Sequence, residues 1–331
     1  MGAYRFLLAC VVLCYHAFGA VAGRQTGVAA VICFLLLSGY VMQLLFDKYY
    51  LRPWRPLSFW LDRALRLFPQ YLFYLGIALF LMWGLGAKNL FYLRTPDLTA
   101  AILAALLLPT GFAMFHFQQV QVLAVSWSLG LEATFYLLLP FLLITPPVLR
   151  FGIFVGSICI FAMALLGFLP TMDFTLRLLP GTLFVFMLGA AMTGRLALPA
   201  AALGVAIGVA TAVCATVLPI SDGMFSVDIG CGLALGSVAL YLLRYVKTGR
   251  FDALLGNLSY GIYLAHMPVL MFTDLMHIDR TFFVPLVSIA AATLSYYCIE
   301  RPVLEFRHRL REKRLRAAQP AASGAGVGSP A

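Results

Sequence analysis

The stretch YRFLLACVVLCYHAFG, Tyr4–Gly19, places an arginine and a histidine eleven residues apart in an otherwise apolar run. On a helix advancing about 100° and 1.5 Å per residue, Arg5 and His16 return to nearly one face, roughly 16 Å apart along the axis. One side chain then looks out near a membrane edge and the other lies well inside the hydrocarbon. Titratable groups at that depth cost a few kcal/mol each and are seldom kept idle. Residues 4–22 are expected to form a retained helix rather than a signal peptide. No small-residue cleavage site followed by a polar chain appears, and the next segment is again apolar.

Composition carries the same reading across the chain. Of 331 residues, 63% are hydrophobic and 11% charged, and the mean hydropathy is +0.95. Soluble domains hold about 45–50% apolar and about 25% charged residues. Apolar runs of about twenty residues match the thickness of a bilayer core, and the short alternating segments of a spanning barrel are absent. The formal charge of +10 does not point to nucleic acid, because the basic residues follow the apolar segments and fill the tail Arg301–Arg316, RPVLEFRHRLREKRLR. That is the pattern of cytoplasmic loops on anionic headgroups. Seven cysteines scattered through apolar segments read as small buried hydrophobes, not as a disulfide framework or a zinc site. No metal site and no permanently bound cofactor is expected.

Eleven candidate spans fall near residues 4–22, 27–46, 67–86, 98–115, 126–144, 151–169, 178–195, 200–218, 227–244, 257–276 and 282–299. The basic stretches around Lys48–Arg66, around Arg244–Arg250 and in the tail should all be cytoplasmic. Seven segments between Arg66 and Arg244 break that parity, so one of them is expected to be re-entrant, interfacial or half a span. The fold expected is an all-α integral membrane protein, a polytopic bundle of about ten transmembrane helices with both termini cytoplasmic. No fixed-period repeat is evident, and the residues from Ala317 onward read as a disordered end.

Five features carry candidate chemistry. His16 can take a proton from a hydroxyl as a general base, and Arg5 can meet an anionic group at the cytoplasmic edge. In FWLDRALRLFPQY, Arg63 and Arg66 are three apart and share a helix face, so they can clamp phosphate, although a merely orienting positive flank looks the same. In WSLGLEATFYLLLP, Ser128, Glu132 and Tyr136 recur every four residues. A carboxylate there needs a partner or a wet cavity, whether it orients a histidine, binds the acceptor or pairs with an arginine. In LGNLSYGIYLAHMPV, Ser259, Tyr263 and His266 share a face and line a substrate path or bond between helices. Finally, Glu300-Arg301 reads as a charged pair at the membrane interface, with Pro302 stopping the last span.

Taken in this order, the motifs resemble the acyltransferase 3 family of integral membrane acyltransferases. The matching pieces are Arg5…His16, Phe34-Leu35-Leu36-Leu37-Ser38-Gly39-Tyr40, Arg63…Arg66…Pro69, Trp127…Tyr136, Leu255…His266 and the terminal I-E-R-P. The resemblance implies an enzyme that moves an acyl group, commonly acetyl from acetyl-CoA, onto a hydroxyl of a carbohydrate such as a surface polysaccharide or a lipopolysaccharide O-antigen. It implies His16, Arg5, Arg63 and Arg66 as essential residues; the helix geometry adds the expectation that His16 and Glu132 are catalytic, with Glu132 orienting His16 or holding the acceptor, and that Arg5, Arg63 and Arg66 contact acyl-CoA. Acyl-CoA would be a co-substrate, a carbohydrate or lipid-linked sugar the acceptor, and the inner membrane of a bacterium the location. Residues 1–303 would form the transmembrane acyltransferase domain and 304–331 a basic, then disordered, cytoplasmic tail. The chain would be a stand-alone member without a C-terminal hydrolase-like domain. The competing class is a multi-span transporter or flippase of a sugar-lipid or small anion. It should show paired halves with interrupted helices, which are not evident.

Overall fold

The computed structural model describes residues 1–51, 54–88, 95–115, 120–217 and 223–318. Among these, regular structure is helical apart from one isolated bridge, Val21 with Arg24. The helices are α1 (Gly2–Phe18), α2 (Thr26–Tyr49), α3 (Pro56–Leu85), α4 (Leu98–Ala105), α5 (Ser126–Ile144) and α6 (Pro147–Leu165), followed by α7 (Leu179–Ala191), α8 (Ala197–Val217), α9 (Gly223–Leu243), α10 (Arg250–Met276), α11 (Arg280–Ser295) and α12 (Arg301–Ala318). Eight helices among the described residues are long and apolar enough to cross a bilayer, and α1 adds a shorter apolar one. Large side chains such as Phe80, Phe151, Phe168 and Leu286 stand exposed on the outside, while Ser, Thr, Gln and His residues are buried within. This inside-out partition belongs to a protein whose outer solvent is lipid, so the chain is a multi-pass membrane protein.

Local chemistry sets the helix ends. Pro56 opens α3, where a missing N–H costs nothing, and Gly86 closes it in the left-handed region (φ 71°). Asp97 caps α4 by accepting from Ala100 N, and Asp279 caps α11 through Thr281 N. α2 runs through the middle, with buried residues on every face. It can do so because Gly39 lies against the Phe186 carbonyl and Gly189 against the Leu36 carbonyl, so the α2 and α7 backbones touch. Polar bonds pin α3 to α11: Gln70 Nε2 donates to Ser295 Oγ at 2.9 Å, and the Tyr74 hydroxyl lies 2.8 Å from the same oxygen.

The candidate span 98–115 holds only a short helix. Its helix α4 has eight residues, about 12 Å of rise against the roughly 30 Å of a bilayer core. The chain breaks at Leu107, a non-glycine residue at φ 65°, and continues as a 3-10 turn over Leu108–Phe112. Irregular backbone survives at membrane depth only where protein satisfies it. Here the Tyr71 hydroxyl donates to the Ala104 carbonyl at 2.8 Å, and Thr110 Oγ1 lies 2.8 Å from the Ser126 carbonyl at the start of α5.

The end of the last span differs from the expectation that Pro302 stops it. A π-turn over Tyr296–Glu300 joins α11 to α12, and the helix runs on to Ala318. Pro302 falls in the first turn of α12, where proline is tolerated. The π-turn directs Glu300 inward, 4% exposed, to pair with Arg66 of α3 rather than with its neighbour. Arg301 bonds instead to Glu305 at 3.1 Å. Part of the region read as a tail is therefore docked helix. Of the residues from Ala317 onward, read as a disordered end, Ala317 and Ala318 close α12, and 319–331 lie outside the described residues.

Candidate active site

Arg5 and His16 sit on one face of α1, as their spacing requires, and each lines a different cavity. The larger one, about 370 Å³, is walled at its cationic end by Arg5, Arg63, Arg66 and Arg307. Ser38, Ser128, Glu132, Tyr136, Ser259 and Tyr263 also line it. The second, about 280 Å³, is lined by His16 together with Gln121, Trp127 and Arg177. Val31 and Tyr263 line both, so they form the wall between them. All the sequence-predicted site residues except His266 thus line one of these two adjoining spaces.

In the larger cavity, the charged groups are held by helices α1, α3, α5 and α12. Arg63, 7% exposed, donates through Nε to Asp62 Oδ2 at 3.1 Å. Arg66 pairs with Glu300 and stacks over the Tyr260 ring at 5.3 Å. The Arg5 side chain makes no hydrogen bond or ion pair to any of the described residues, and it faces the field of Glu132. Glu132 accepts from the Ser38 hydroxyl at 2.5 Å and from the Tyr136 hydroxyl. Ser128 and Tyr263 share a hydroxyl contact of 2.6 Å across α5 and α10. Ser259 donates to the Gly256 carbonyl of its own helix at 2.7 Å.

In the smaller cavity, the partner of His16 is a second histidine. His16 Nδ1 lies 3.1 Å from His266 Nε2, with the rings 5.2 Å apart and 19° from parallel. His266 is fully buried, and its Nδ1 lies 3.1 Å from the Ile262 carbonyl, which can only accept. That carbonyl assigns the proton of neutral His266 to Nδ1 and makes its Nε2 an acceptor. A His16 ring that donates to it through Nδ1 would carry the lone pair of its neutral form on Nε2. Across the same cavity, Arg177 lies over the Trp127 ring at 5.9 Å.

Glu132 and His16 are therefore held by different partners, Ser38 with Tyr136 on one side and His266 on the other. Sequence reading did not single out Ser38, Asp62, Trp127, Arg177 or Arg307 as site residues. Ser38 and Trp127 lay inside quoted motifs, and Asp62 stands beside Arg63. Nothing in the spacing of Arg307 marked it out from the other arginines of the tail.

Comparison with known proteins agrees with the motif pattern. The model of the acyltransferase 3 family, described as an acyltransferase domain, matches residues 3–300. An uncharacterized protein of Aquifex aeolicus (strain VF5) is 30% identical over 198 residues, covering 56% of this chain and 89% of its own length. No solved structure matches.

Proposed function

The chain belongs to the acyltransferase 3 family, and from that premise we propose that this membrane acyltransferase moves an acyl group from acyl-CoA to a carbohydrate hydroxyl. Acetyl is the favoured acyl group, and a surface polysaccharide or lipopolysaccharide O-antigen the favoured acceptor. In this reading ten helices cross the membrane, α1–α3 and α5–α11, with both chain termini in the cytoplasm of a bacterial cell. The cavity holding Arg5, Arg63 and Arg66 opens to the cytoplasm and takes the donor. The His16 cavity takes the acceptor.

The observation that carries this reading is the shared wall. A cationic cavity and a histidine-bearing cavity meet at Val31 and Tyr263, roughly 16 Å of helix rise separating Arg5 from His16. The guanidiniums meet donor phosphates through charge-assisted bonds, and the long pantetheine arm carries the thioester inward. His16 Nε2 takes the proton of the acceptor hydroxyl as its oxygen attacks the thioester carbonyl. The carbon–sulfur bond then breaks, and the CoA thiolate takes a proton from the His16 imidazolium. Glu132, bonded to Ser38 and Tyr136, keeps the donor cavity from being uniformly positive and orients the substrate arm.

The test is thiol release from acetyl-CoA by purified protein in detergent with envelope glycans as acceptor. Wild type is expected to release thiol, and folded His16→Ala is expected to release none. Equal release by the variant would remove His16 from the chemistry. A transporter makes no thiol at all.

A further inference from the structure

We propose that Arg307 of the C-terminal helix α12 is a phosphate-binding residue of the donor cavity, so that α12 completes the acyl-CoA site. The inference rests on the reading of that cavity as the donor site. Arg307 lines it together with Arg5, Arg63 and Arg66, although the four come from three different helices. It is 8% exposed. Its Nε donates to Asp62 Oδ1 at 2.9 Å, while its buried Nη1 has no hydrogen-bond partner among the described residues. A buried guanidinium nitrogen left without an acceptor is costly, and an anion in the adjoining space is what would satisfy it.

Charge points the same way. Asp62 is shared by Arg63, Arg307 and Arg311, and Glu300 is taken by Arg66. Four guanidiniums, Arg5, Arg63, Arg66 and Arg307, and one carboxylate, Glu132, line the cavity, and Asp62 and Glu300 behind them offset only part of that positive charge. A dianionic or more highly charged group such as a diphosphate fits that excess, and the planar forks of arginine suit phosphate oxygens. Arg311 provides the internal contrast. It donates to the same Asp62 oxygen at 2.8 Å, yet it stacks on the Tyr49 ring at 4.5 Å and does not line the donor cavity. Phosphate in this place can come from CoA or from an anionic lipid headgroup, and the test separates the two.

The full chain is placed in nanodiscs of neutral lipid, and CoA binding is titrated by calorimetry. Wild type, Arg307→Gln, Arg307→Lys and Arg311→Gln are compared, then repeated with phosphatidylglycerol in the disc. Arg307→Gln is expected to weaken CoA binding by about tenfold or more, and Arg307→Lys by less. Arg311→Gln is expected to bind as wild type, although it loses the same Asp62 contact. In turnover, the KM for acetyl-CoA should rise in Arg307→Gln while kcat is nearly unchanged. CoA binding in Arg307→Gln equal to wild type overturns the inference, as does equal weakening by Arg311→Gln, which would make Asp62 a structural link only. An effect of Arg307→Gln confined to discs containing phosphatidylglycerol overturns it in favour of a lipid site. Absence of CoA binding by wild type overturns the donor reading itself. Arg307→Lys retains the charge at Asp62, so the comparison survives if the glutamine variant does not fold.

Discussion

His16 and His266, 250 positions apart in the chain, face each other ring nitrogen to ring nitrogen at 3.1 Å. The carbonyl of Ile262 fixes the second ring, and a His16 that donates to that ring keeps its lone pair on Nε2. That lone pair then depends on a residue that lines neither of the two cavities.

That relay predicts a split between two substitutions. His266→Leu removes the acceptor for His16 Nδ1–H and should lower the kcat of acyl transfer by about 10- to 100-fold, the usual effect of removing a group that orients an active imidazole. The KM for acyl-CoA should stay constant. His266→Gln retains an acceptor oxygen and should recover part of the rate. Equal kcat in all three proteins, measured by thiol release, would show that the pair is packing alone.

Breaking the Arg66–Glu300 pair should be costly in a different way. Glu300→Gln leaves Arg66 largely buried without its counter-charge, and removal of one partner from a buried pair costs about 3–5 kcal/mol. The melting temperature in detergent should fall markedly. Arg66→Leu with Glu300→Leu together should fall less than Glu300→Gln. A single variant as stable as wild type would mean that solvent already screens the pair.

Close backbone contact makes a third prediction. Gly189 rests on the Leu36 carbonyl, so Gly189→Leu must force α7 away from α2. Overpacking of this kind costs about 1–3 kcal/mol, and fluorescence-detected size exclusion should show a loss of folded protein. The substitution Gly76→Leu, at a glycine with open space beside it, serves as the control and should be tolerated.

A fourth concerns pH. Asp252 at the start of α10 accepts from the backbone N–H of Ala3 at 2.9 Å and of Gly2 at 3.0 Å. These bonds hold its carboxyl below the ordinary aspartate value. A depressed folded pKa means that the stabilisation is fully present above the unfolded value of about 3.9 and is lost as pH falls through the folded one. The melting temperature of wild type should therefore drop on acidification below about pH 4, and that of Asp252→Asn should drop less. Parallel curves would remove the role of this carboxylate in joining α1 to α10.

Periodicity and length made much of the fold legible. The run 27–46 appears within α2, 126–144 coincides with α5, and the Arg5–His16 stripe exists because helix geometry leaves it no choice. The pairings were not legible. Ser38 with Glu132, Arg66 with Glu300 and Asp62 with Arg307 each join distant parts of the chain, and spacing within one helix carries no information about which helix lies opposite. The break at Leu107 was hidden for another reason. An apolar run reads alike whether it crosses the membrane or is folded inside the protein, and no glycine or asparagine marks the left-handed residue.

That broken segment has a consequence for the order of events during synthesis. Leu98–Phe112 emerges after α3 and before α5, yet its backbone draws on both, on Tyr71 behind it and on the Ser126 carbonyl ahead of it. When it first leaves the ribosome only half of its supports exist. It must wait, unsettled, until α5 arrives, so this fold cannot be laid down as a succession of independently finished hairpins.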